Sequence, residues 1–315
     1  MARTRGRGYS TDASAPAGVL VVDKPFGPTS HDVVALVRRL AGTRRVGHGG
    51  TLDPFARGVL PLFVGAATRV VEYHAGDEKS YRATVVFGAR STTDDLEGEL
   101  TPGDGPAPDR PAVSAALDGF RGTISQRPPA YSAVKVAGQR AYRAARAGER
   151  IEIPERTVTI ERLDLVDWDD SDRDRPAAGL EIACSAGTYV RSLARDLGER
   201  LACGAYLAAL VRTVSGPFLL AEAHTLETVR ERAAGGTLVD LLLPIDHGLE
   251  RFPRLVLAED EVAAVARGQV IRPAGSVPDP MAEQVRLVDR SDRLVAIARV
   301  AGGRIHPDKV LIGRT

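Results

Sequence analysis

The sequence predicts an α+β protein with a large N-terminal domain and a small, mainly β appendage. Strand-like segments, with apolar residues in continuous runs or in alternation, are interspersed with a few helical patterns along most of the chain. After Pro244 the pattern changes to one short helix and several short strands. A length of 315 residues supports about two domains. We therefore expect a disordered basic tail over residues 1–17, a large domain over 18–249 and an appendage over 250–315.

Each element follows from the hydrophobic period and from the residues that punctuate it. Residues 30–40 carry apolar side chains at helical spacing behind a Thr29 or Ser30 cap, and Gly42 ends the pattern. In the strand predicted over 80–88, Tyr81 and Phe87 share one face because side chains alternate. The other predicted strands are 19–22, 59–64, 151–166, 180–184, 207–214, 285–288, 294–300 and 310–312. The other predicted helices are 139–147, 188–201, 223–233 and 259–267, and the Pro- and Gly-rich residues 101–111 predict a loop.

Composition excludes several classes of protein. Two cysteines, Cys184 and Cys203, are too few for a disulfide scaffold or a multi-cysteine metal site. No apolar run reaches the length of a membrane span, and no apolar stretch of a secretory signal follows the basic N-terminus. The chain has neither an H-E-x-x-H motif nor a Cys/His pair at metal-ligand spacing. We therefore expect a soluble cytoplasmic protein without a metal.

The charge of the chain is unevenly distributed, although its net value is only +1. Residues 1–150 hold 21 Lys and Arg against 15 Asp and Glu, whereas residues 151–315 hold 21 against 26, so the two net charges are +6 and −5. The basic residues of the first half form two clusters: Arg38, Arg39, Arg44 and Arg45, and then Lys135, Arg140, Arg143 and Arg146. Such clusters suit the phosphates of a polyanionic partner, and ordinary solvated faces show the same pattern.

A glycine-rich segment, residues 47–54, holds the main candidate for a reactive group. Three glycines flank His48 and let the backbone approach a ligand closely, and Asp53 lies in an otherwise uncharged stretch. Asp53 is therefore a candidate nucleophile or general base, with a turn-capping aspartate as the alternative. His48 is open to the same two interpretations. The segment lacks the signatures of a phosphate-binding loop and of a dinucleotide site, and the chain has no G-x-S-x-G nucleophile elbow.

Two tyrosines with basic neighbours are candidates for binding an extruded base. We expect both at junctions between strand and helix, with Tyr81 next to Arg82 and Tyr189 two residues before Arg191. A tyrosine ring can stack on a base while a neighbouring cation contacts a phosphate or a catalytic carboxylate. The alternative is that Tyr81 and Tyr189 are ordinary packed aromatic residues without a binding role.

Four sequence blocks, taken together and in order, resemble the TruB family of pseudouridine synthases. They are GVLVVDKPFGPTS at 18–30, VGHGGTLDPFARGVLPLFVGAATR at 46–69, QRPPAYSAVKVAGQRAY at 126–142 and CSAGTYVRSL at 184–193. The resemblance runs from about Gly18 to the C-terminus. Two departures, Ala56-Arg57 where the family often has Ala-Thr and the small Gly49, concern loop geometry rather than the implied chemistry.

The resemblance implies an enzyme that isomerises uridine to pseudouridine at position 55 in the T-loop of tRNA. Asp53 would be the catalytic carboxylate, kept ionised and oriented by Arg191, while His48 would fill the space left by the flipped base and Tyr81 would stack on it. The residues implied to bind the substrate are His48, Tyr81, Tyr189, Arg191 and Leu210. Contacts with the RNA backbone are expected from Arg44, Arg45, Lys135, Arg140, Arg143 and Arg146.

The resemblance also implies the remaining architecture. The large domain would be a pseudouridine-synthase catalytic domain, built on a mixed, mainly antiparallel sheet flanked by helices and loops. The appendage would be a PUA-like RNA-binding domain. Because the reaction neither adds nor removes a group, no cofactor is expected, and the chain would act on the T-arm of tRNA as a monomer without a protein partner.

Two other hypotheses remain open from the sequence. A tRNA-binding or tRNA-folding module without catalysis would carry the same basic clusters, although an intact Asp53 argues against it. A glycosidase would use paired carboxylates, for which Asp94 and Asp95 are candidates. Adjacent carboxylates point apart on a strand or loop, and the separation that such enzymes need is not evident here.

Overall fold

The structure is a computed structural model that describes residues 16–132, 134–136, 139–140, 152–273 and 282–312, with the backbone alone at 135–136 and 139–140. Residues 1–15 of the expected tail, together with Arg143 and Arg146, lie outside the described residues.

The α-helices are α1 (Ser30–Leu40), α2 (Arg110–Leu117), α3 (Val190–Arg200), α4 (Leu226–Ala234) and α5 (Glu259–Ala266). The strands are β1 (Gly18–Lys24), β2 (Val46–His48), β3 (Arg57–Val64), β4 (Lys79–Phe87), β5 (Ala89–Ser91), β6 (Leu100–Pro102), β7 (Gly122–Gln126), β8 (Lys135–Val136), β9 (Gln139–Arg140), β10 (Arg156–Asp169), β11 (Ala177–Cys184), β12 (Ala205–Ser215), β13 (Phe218–Leu219), β14 (His224–Thr225), β15 (Arg254–Val256), β16 (Gln284–Val288), β17 (Leu294–Ala301) and β18 (Arg304–Val310).

Ten of these strands form one large mixed sheet. Its order is β14-β1-β3-β12-β4-β11-β10-β7, with β2 beside β3 and β13 beside β12. Neighbouring strands are antiparallel except in the pairs β1–β14 and β3–β12. The predicted α+β class, with a mixed and mainly antiparallel sheet, is therefore confirmed.

Local sequence accounts for the elements that surround the central strands. Strands β1 and β3 are buried almost throughout, in keeping with their continuous apolar sequences. Strand β4 buries Ala83, Val85 and Phe87 on one face, as its alternation predicts. Helix α1 begins at a capping box in which the Thr29 hydroxyl accepts from the Asp32 backbone N–H and the Asp32 carboxylate accepts from that of Thr29.

Some predicted elements are wrong. Residues 139–140 form a strand that pairs with 135–136, so the helix predicted from residue 139 does not begin there, because strand pairing overrides local helix propensity. The last strand is Arg304–Val310 rather than 310–312, since the turn at Gly302 and Gly303, both with positive φ, starts the strand at Arg304. Tyr81 lies inside β4, not at a junction with a helix.

The strands that follow residue 253 form a second, four-stranded sheet in the order β15-β16-β17-β18, with α5 packed against it. Its main core contains Leu255, Leu287 and Ile305. A further buried cluster joins this sheet to the back of the large one, where Phe63 and Phe218 pack with apolar residues of β16 and β17. The two sheets therefore share an apolar contact, while the functional pocket lies on the large sheet.

Candidate active site

The order of the central strands brings distant segments of the sequence to one pocket. Strand β12 lies between β3 and β4, and β11 lies on the other side of β4. The loop before β3 carries Asp53, β4 carries Tyr81, and β12 carries Leu210 and Arg212. The loop after β11 leads into α3, whose first turn holds Arg191. Together these segments enclose a pocket of about 430 Å³, which is in the size range of small-ligand sites.

The structure brings six of the predicted site residues together and leaves the others elsewhere. The residues that line this pocket are His48, Asp53, Tyr81, Tyr189, Arg191 and Leu210. Arg44 and Arg45 are exposed on the segment that enters β2 and do not line the pocket. For Lys135 and Arg140 the structure describes the backbone of a small hairpin, and Arg143 and Arg146 lie outside the described residues.

The loop between β2 and β3 is anchored by two buried side chains. Lys24, at the end of β1, donates hydrogen bonds to the carbonyl oxygens of Pro54 at 3.1 Å and Ala56 at 2.7 Å. On the other side of the loop, the Ser30 hydroxyl donates to the Leu52 carbonyl at 2.9 Å and accepts from its N–H at 2.8 Å. Both anchors are fully covered by protein. The loop that presents the carboxylate is thus held in place by the fold itself.

Arg191 and Asp53 form an ion pair at the base of the pocket. The guanidinium Nε lies 3.0 Å from Oδ2 of Asp53, and a terminal nitrogen donates to Oδ1 at 3.3 Å. Arg191 is 5% exposed, whereas the Asp53 side chain keeps 34% of its surface open to the pocket. The arginine therefore holds the carboxylate from behind and leaves it accessible to a ligand.

A second carboxylate, Asp95, completes the environment of Arg191. One Oδ of Asp95 lies 3.4 Å from Nη1 of Arg191, and the Asp95 side chain is 4% exposed. The remaining donors of Arg191 bond to the carbonyl oxygens of Thr93 at 3.1 Å and Tyr131 at 2.9 Å. Because ionic and backbone partners surround it, the guanidinium has a single well-defined orientation.

The carboxyl of Asp53 has a raised pKa. Burial is the largest cause, and the negative charge of Asp95 adds to it, while Arg191 and Lys24 act in the opposite direction. The expected effect of Arg191, which is to lower the pKa of Asp53, is present, but desolvation outweighs it. What the arginine supplies is orientation together with partial compensation of the cost of burying the charge.

Arg212 is a second buried cation and contacts the start of the loop that carries Asp53. It is 1% exposed, and its donors bond to the carbonyl oxygens of Val59 at 2.7 Å, Gly50 at 3.2 Å and Thr51 at 3.4 Å. Among the described residues, no carboxylate forms an ion pair with Arg212. Burial lowers the pKa of Arg212, whereas its contact with the Tyr81 hydroxyl raises it. Arg212 thus attaches the start of the loop to β3 and β12.

A close approach of the backbone makes this attachment possible. Gly58, at the start of β3, has φ +99°, and a Cβ there would lie 2.2 Å from the backbone oxygen of Arg212. The parallel register pairs these two residues directly. Only glycine is compatible with both the conformation and the space.

Tyr81 and His48 form the walls of the pocket. Tyr81 is the cross-strand neighbour of Arg212, and burial raises the pKa of its phenol. His48 accepts a hydrogen bond at Nδ1 from the Gly50 N–H at 3.3 Å, and its ring makes an edge contact with His31, with centroids 5.4 Å apart. Burial lowers the pKa of His48, so the ring is neutral in ordinary buffers and suited to stacking.

Sequence reasoning missed Lys24 and Arg212, and it considered Asp95 only as one of a pair of glycosidase carboxylates. Asp95 and Asp94 are separated by their partners, since Asp95 pairs with Arg191 and Asp94 with an arginine one turn later in α3. A signal for Arg212 existed in the sequence, because a charged residue inside an apolar strand requires buried partners. Lys24 lies in the first of the four blocks and, as a lysine at the end of an apolar run, gave no local signal of a buried role.

Neither a metal-binding cluster nor a membrane-spanning helix is found among the described residues. In that part of the chain, no group of three or more His, Cys, Asp or Glu side chains is placed to hold a metal ion. None of the helices described above is long and apolar enough to cross a membrane.

Comparison with known families identifies the class of enzyme. Residues 38–190 match the model of the TruB family pseudouridylate synthase N-terminal domain. Residues 191–250 match the model of the tRNA pseudouridylate synthase B C-terminal domain. The fold and the site therefore define a pseudouridylate synthase, an isomerase. The second match ends before β15, so the PUA-like assignment of residues 250–315 stays a prediction.

Similarity to individual relatives extends along nearly the whole chain. The tRNA pseudouridine synthase B of Thermobifida fusca is 45% identical over 302 residues, which is 94% of this chain and 99% of that protein. The tRNA pseudouridine synthase B of Corynebacterium diphtheriae is 42% identical over 305 residues, or 92% and 98% of the two chains. The chain belongs to the TruB family.

Solved structures share the fold. A chain in the crystal structure of a Cbf5-Nop10-Gar1 complex is 27% identical, with a TM-score of 0.69 over 95% of this chain and 86% of that one. A chain in the structure of an H/ACA RNP bound to a substrate RNA containing 2′-deoxyuridine gives a TM-score of 0.71 at 24% identity, over 99% and 92% of the two chains. At that identity, the second similarity concerns the fold alone.

Proposed function

We propose that the chain isomerises uridine to pseudouridine at position 55 in the T-loop of tRNA, with Asp53 as the catalytic carboxylate. The observation that carries the proposal is the accessible Asp53 carboxylate, oriented by Arg191 in a pocket of nucleobase size, in a member of the TruB family. The names of the bacterial relatives support tRNA as the substrate. The basic segment around Arg44 and Arg45, beside β2, suits the backbone of an RNA arm.

The chemistry requires little beyond a well-placed carboxylate. The bond between N1 of uracil and C1′ of ribose breaks, and its electron pair leaves with the base. The base turns, C5 bonds to C1′, and the proton on C5 is lost while N1 gains one, so the composition of the RNA is unchanged. Asp53 can assist by adding to C1′ or by accepting the 2′ proton, and both routes need the ionised carboxylate close to the sugar.

The target base must leave its stack to reach Asp53, which costs a few kcal/mol. Stacking of the extruded uracil on Tyr81 would recover about 1–3 kcal/mol. His48, neutral and at the rim of the pocket, would occupy the vacated place in the RNA. Tyr189 and Leu210 would contact the uridine from the other walls. We propose base flipping on these grounds.

The remaining organisation is part of the same proposal. Residues 18–249 would form the catalytic domain, and residues 250–315, with their own four-stranded sheet and core, would form a PUA-like RNA-binding domain. The chain would act as a monomer in the cytoplasm, without a cofactor.

A direct assay tests the proposal. The protein is incubated with an unmodified tRNA transcript, and pseudouridine is located by carbodiimide modification followed by primer extension. We expect one new stop, in the T-loop at position 55, and none with a transcript in which that uridine is replaced by cytidine. A stop elsewhere would refute the position, and the absence of any stop would refute the activity. A substrate deuterated at C2′ separates the two roles of Asp53, because only proton transfer from C2′ gives a primary isotope effect.

A further inference from the structure

Three contacts hold Tyr189 at the rim of the pocket: two hydrogen bonds to its backbone and one cation–π contact with its ring. Its backbone N–H donates to Oε1 of Gln126 at 2.8 Å, and its carbonyl oxygen accepts from Nε2 of Gln126 at 3.0 Å. Gln126 is fully buried. The Arg156 guanidinium lies over the Tyr189 ring, 5.7 Å from its centroid. Because Arg156 and Gln126 are paired residues of β10 and β7, one strand pair presents both groups to Tyr189.

Arg156 differs from the other arginines of this part of the sheet because no carboxylate among the described residues pairs with it. Arg127 pairs with Glu155 at 3.3 Å, and Arg162, also on β10, lies within 4 Å of two carboxylates, those of Glu181 and Asp164. The side chain of Arg156 forms no ion pair or hydrogen bond with any residue in the described part of the chain. It is half-buried and its Nη1 lies beside Gly187, a residue that lines the pocket.

A planar cation at the rim, whose donors have no partner within the part of the chain that the structure describes, suits a phosphate. The donors of a guanidinium match phosphate oxygens in pairs, and a cation stacked on an aromatic ring is ordered before the ligand arrives. The target nucleotide enters the pocket base first, so its flanking phosphates remain at the rim, where Arg156 lies.

We propose that Arg156 binds a phosphodiester next to the target uridine and that its stacking keeps Tyr189 in place against that nucleotide. This inference rests on the proposed function, since it takes a uridine in RNA as the occupant of the pocket. It adds a specific backbone contact, on β10, to the basic clusters visible in the sequence.

The first test compares two neutralising substitutions on one strand. Binding of a T-arm stem-loop RNA is measured at several salt concentrations for the parent, Arg156→Gln and Arg162→Gln. We expect Arg156→Gln to weaken binding several-fold and to reduce the slope of log K against log salt by about 0.7–0.9, the value for one lost phosphate contact. Arg162→Gln, which removes the same charge roughly 20 Å further along the strand, should leave the slope unchanged. Equal slopes for all three proteins would overturn the proposal.

The second test identifies the phosphate. A methylphosphonate replaces each of the two phosphodiesters that flank the target uridine, one at a time, and affinities are measured with the parent and with Arg156→Gln. We expect that at one of the two positions the neutral linkage weakens binding to the parent and has no further effect on the variant, as for two partners of one interaction. Additive effects at both positions would overturn the proposal. A parent that forms no pseudouridine would instead refute the proposed function, so the two failures are distinguishable.

Discussion

Arg191 and Arg212 both contact the loop of Asp53, and both are buried, at 5% and 1% exposure. Arg191 contacts two carboxylates, those of Asp53 and Asp95. Arg212 has main-chain carbonyl oxygens as its hydrogen-bond acceptors, from Gly50, Thr51 and Val59. One arginine therefore positions a charge and the other positions a backbone, although the two residues are chemically identical.

The difference lies in what removing each arginine would leave behind. Without Arg191, two buried carboxylates would lose their cation, which is a costly state in a protein interior. Without Arg212, neutral carbonyl groups would lose donors, and a buried positive charge would disappear at the same time. The first arginine is tied to the reacting group, whereas the second controls where the loop lies. The following predictions separate these two roles.

The largest effect is expected for Asp53→Asn. Loss of the carboxylate should reduce the rate of pseudouridine formation by about 10⁴-fold or more, while tRNA affinity stays within a few fold. The assay is single-turnover product formation together with a binding titration. Equal loss of binding and rate would show that Asp53 is structural.

The same variant also tests whether the buried charge of Asp53 lowers the stability of the folded protein. The pKa of Asp53 in the folded protein lies above its ordinary value of 3.8. The contribution of the protonated carboxyl to the free energy of unfolding is therefore fully present below pH 3.8. It is lost as the pH rises through the raised pKa. At neutral pH the ionised carboxylate therefore opposes folding. We expect Asp53→Asn to melt at or above the temperature of the parent at pH 7, and a clearly lower Tm would contradict this account.

The next effect is the contrast between Arg191→Lys and Arg212→Lys, each of which keeps a positive charge. Arg191→Lys should lower kcat by about 10²–10³-fold, because the paired contact that orients Asp53 is lost. Arg212→Lys should cost about 10²-fold or less, through a small displacement of the loop. Both rates are measured at saturating tRNA, and a larger loss for Arg212→Lys would reverse the assignment of the two roles.

A smaller but equally diagnostic difference is expected in stability. Arg191→Met should lower the free energy of unfolding by about 3–5 kcal/mol, as for one partner removed from a buried ionic group. Arg212→Met should lower it by about 1–3 kcal/mol, since unsatisfied carbonyl groups are its main penalty. Urea unfolding at neutral pH measures both. If the two variants were equally stable, the counter-charges of Arg191 would not matter to the fold.

The smallest expected effect concerns pH and Lys24. Burial lowers the pKa of Lys24 to about 8, so its charged form opposes folding fully below pH 8 and progressively less between pH 8 and 10.5. The ammonium donates to three carbonyl groups, those of Pro25, Pro54 and Ala56, whereas the neutral amine has only two N–H donors, so the loop of Asp53 should loosen. We therefore expect kcat to fall a few-fold above pH 8. Lys24→Met should show a lower and flatter profile over the same range, whereas a parent profile that is flat to pH 9.5 would exclude the effect.

The sequence by itself determined much of this protein. Hydrophobic period and capping residues predicted α1, β3, β4 and most of β12, because they act within one segment. The glycine-rich segment with Asp53, and the blocks around it, indicated the family and six residues that line one pocket.

The tertiary structure alone decided what surrounds the buried charges of the site beyond the expected pairing of Arg191 with Asp53. The insertion of β12 between β3 and β4 joins Arg212 to Gly50, more than 150 positions away along the chain. The packing of α3 places Arg191 next to both Asp53 and Asp95, and burial raises the pKa of Asp53 by more than Arg191 lowers it. Desolvation and pairing of this kind depend on residues distant in sequence, so no local pattern contains them.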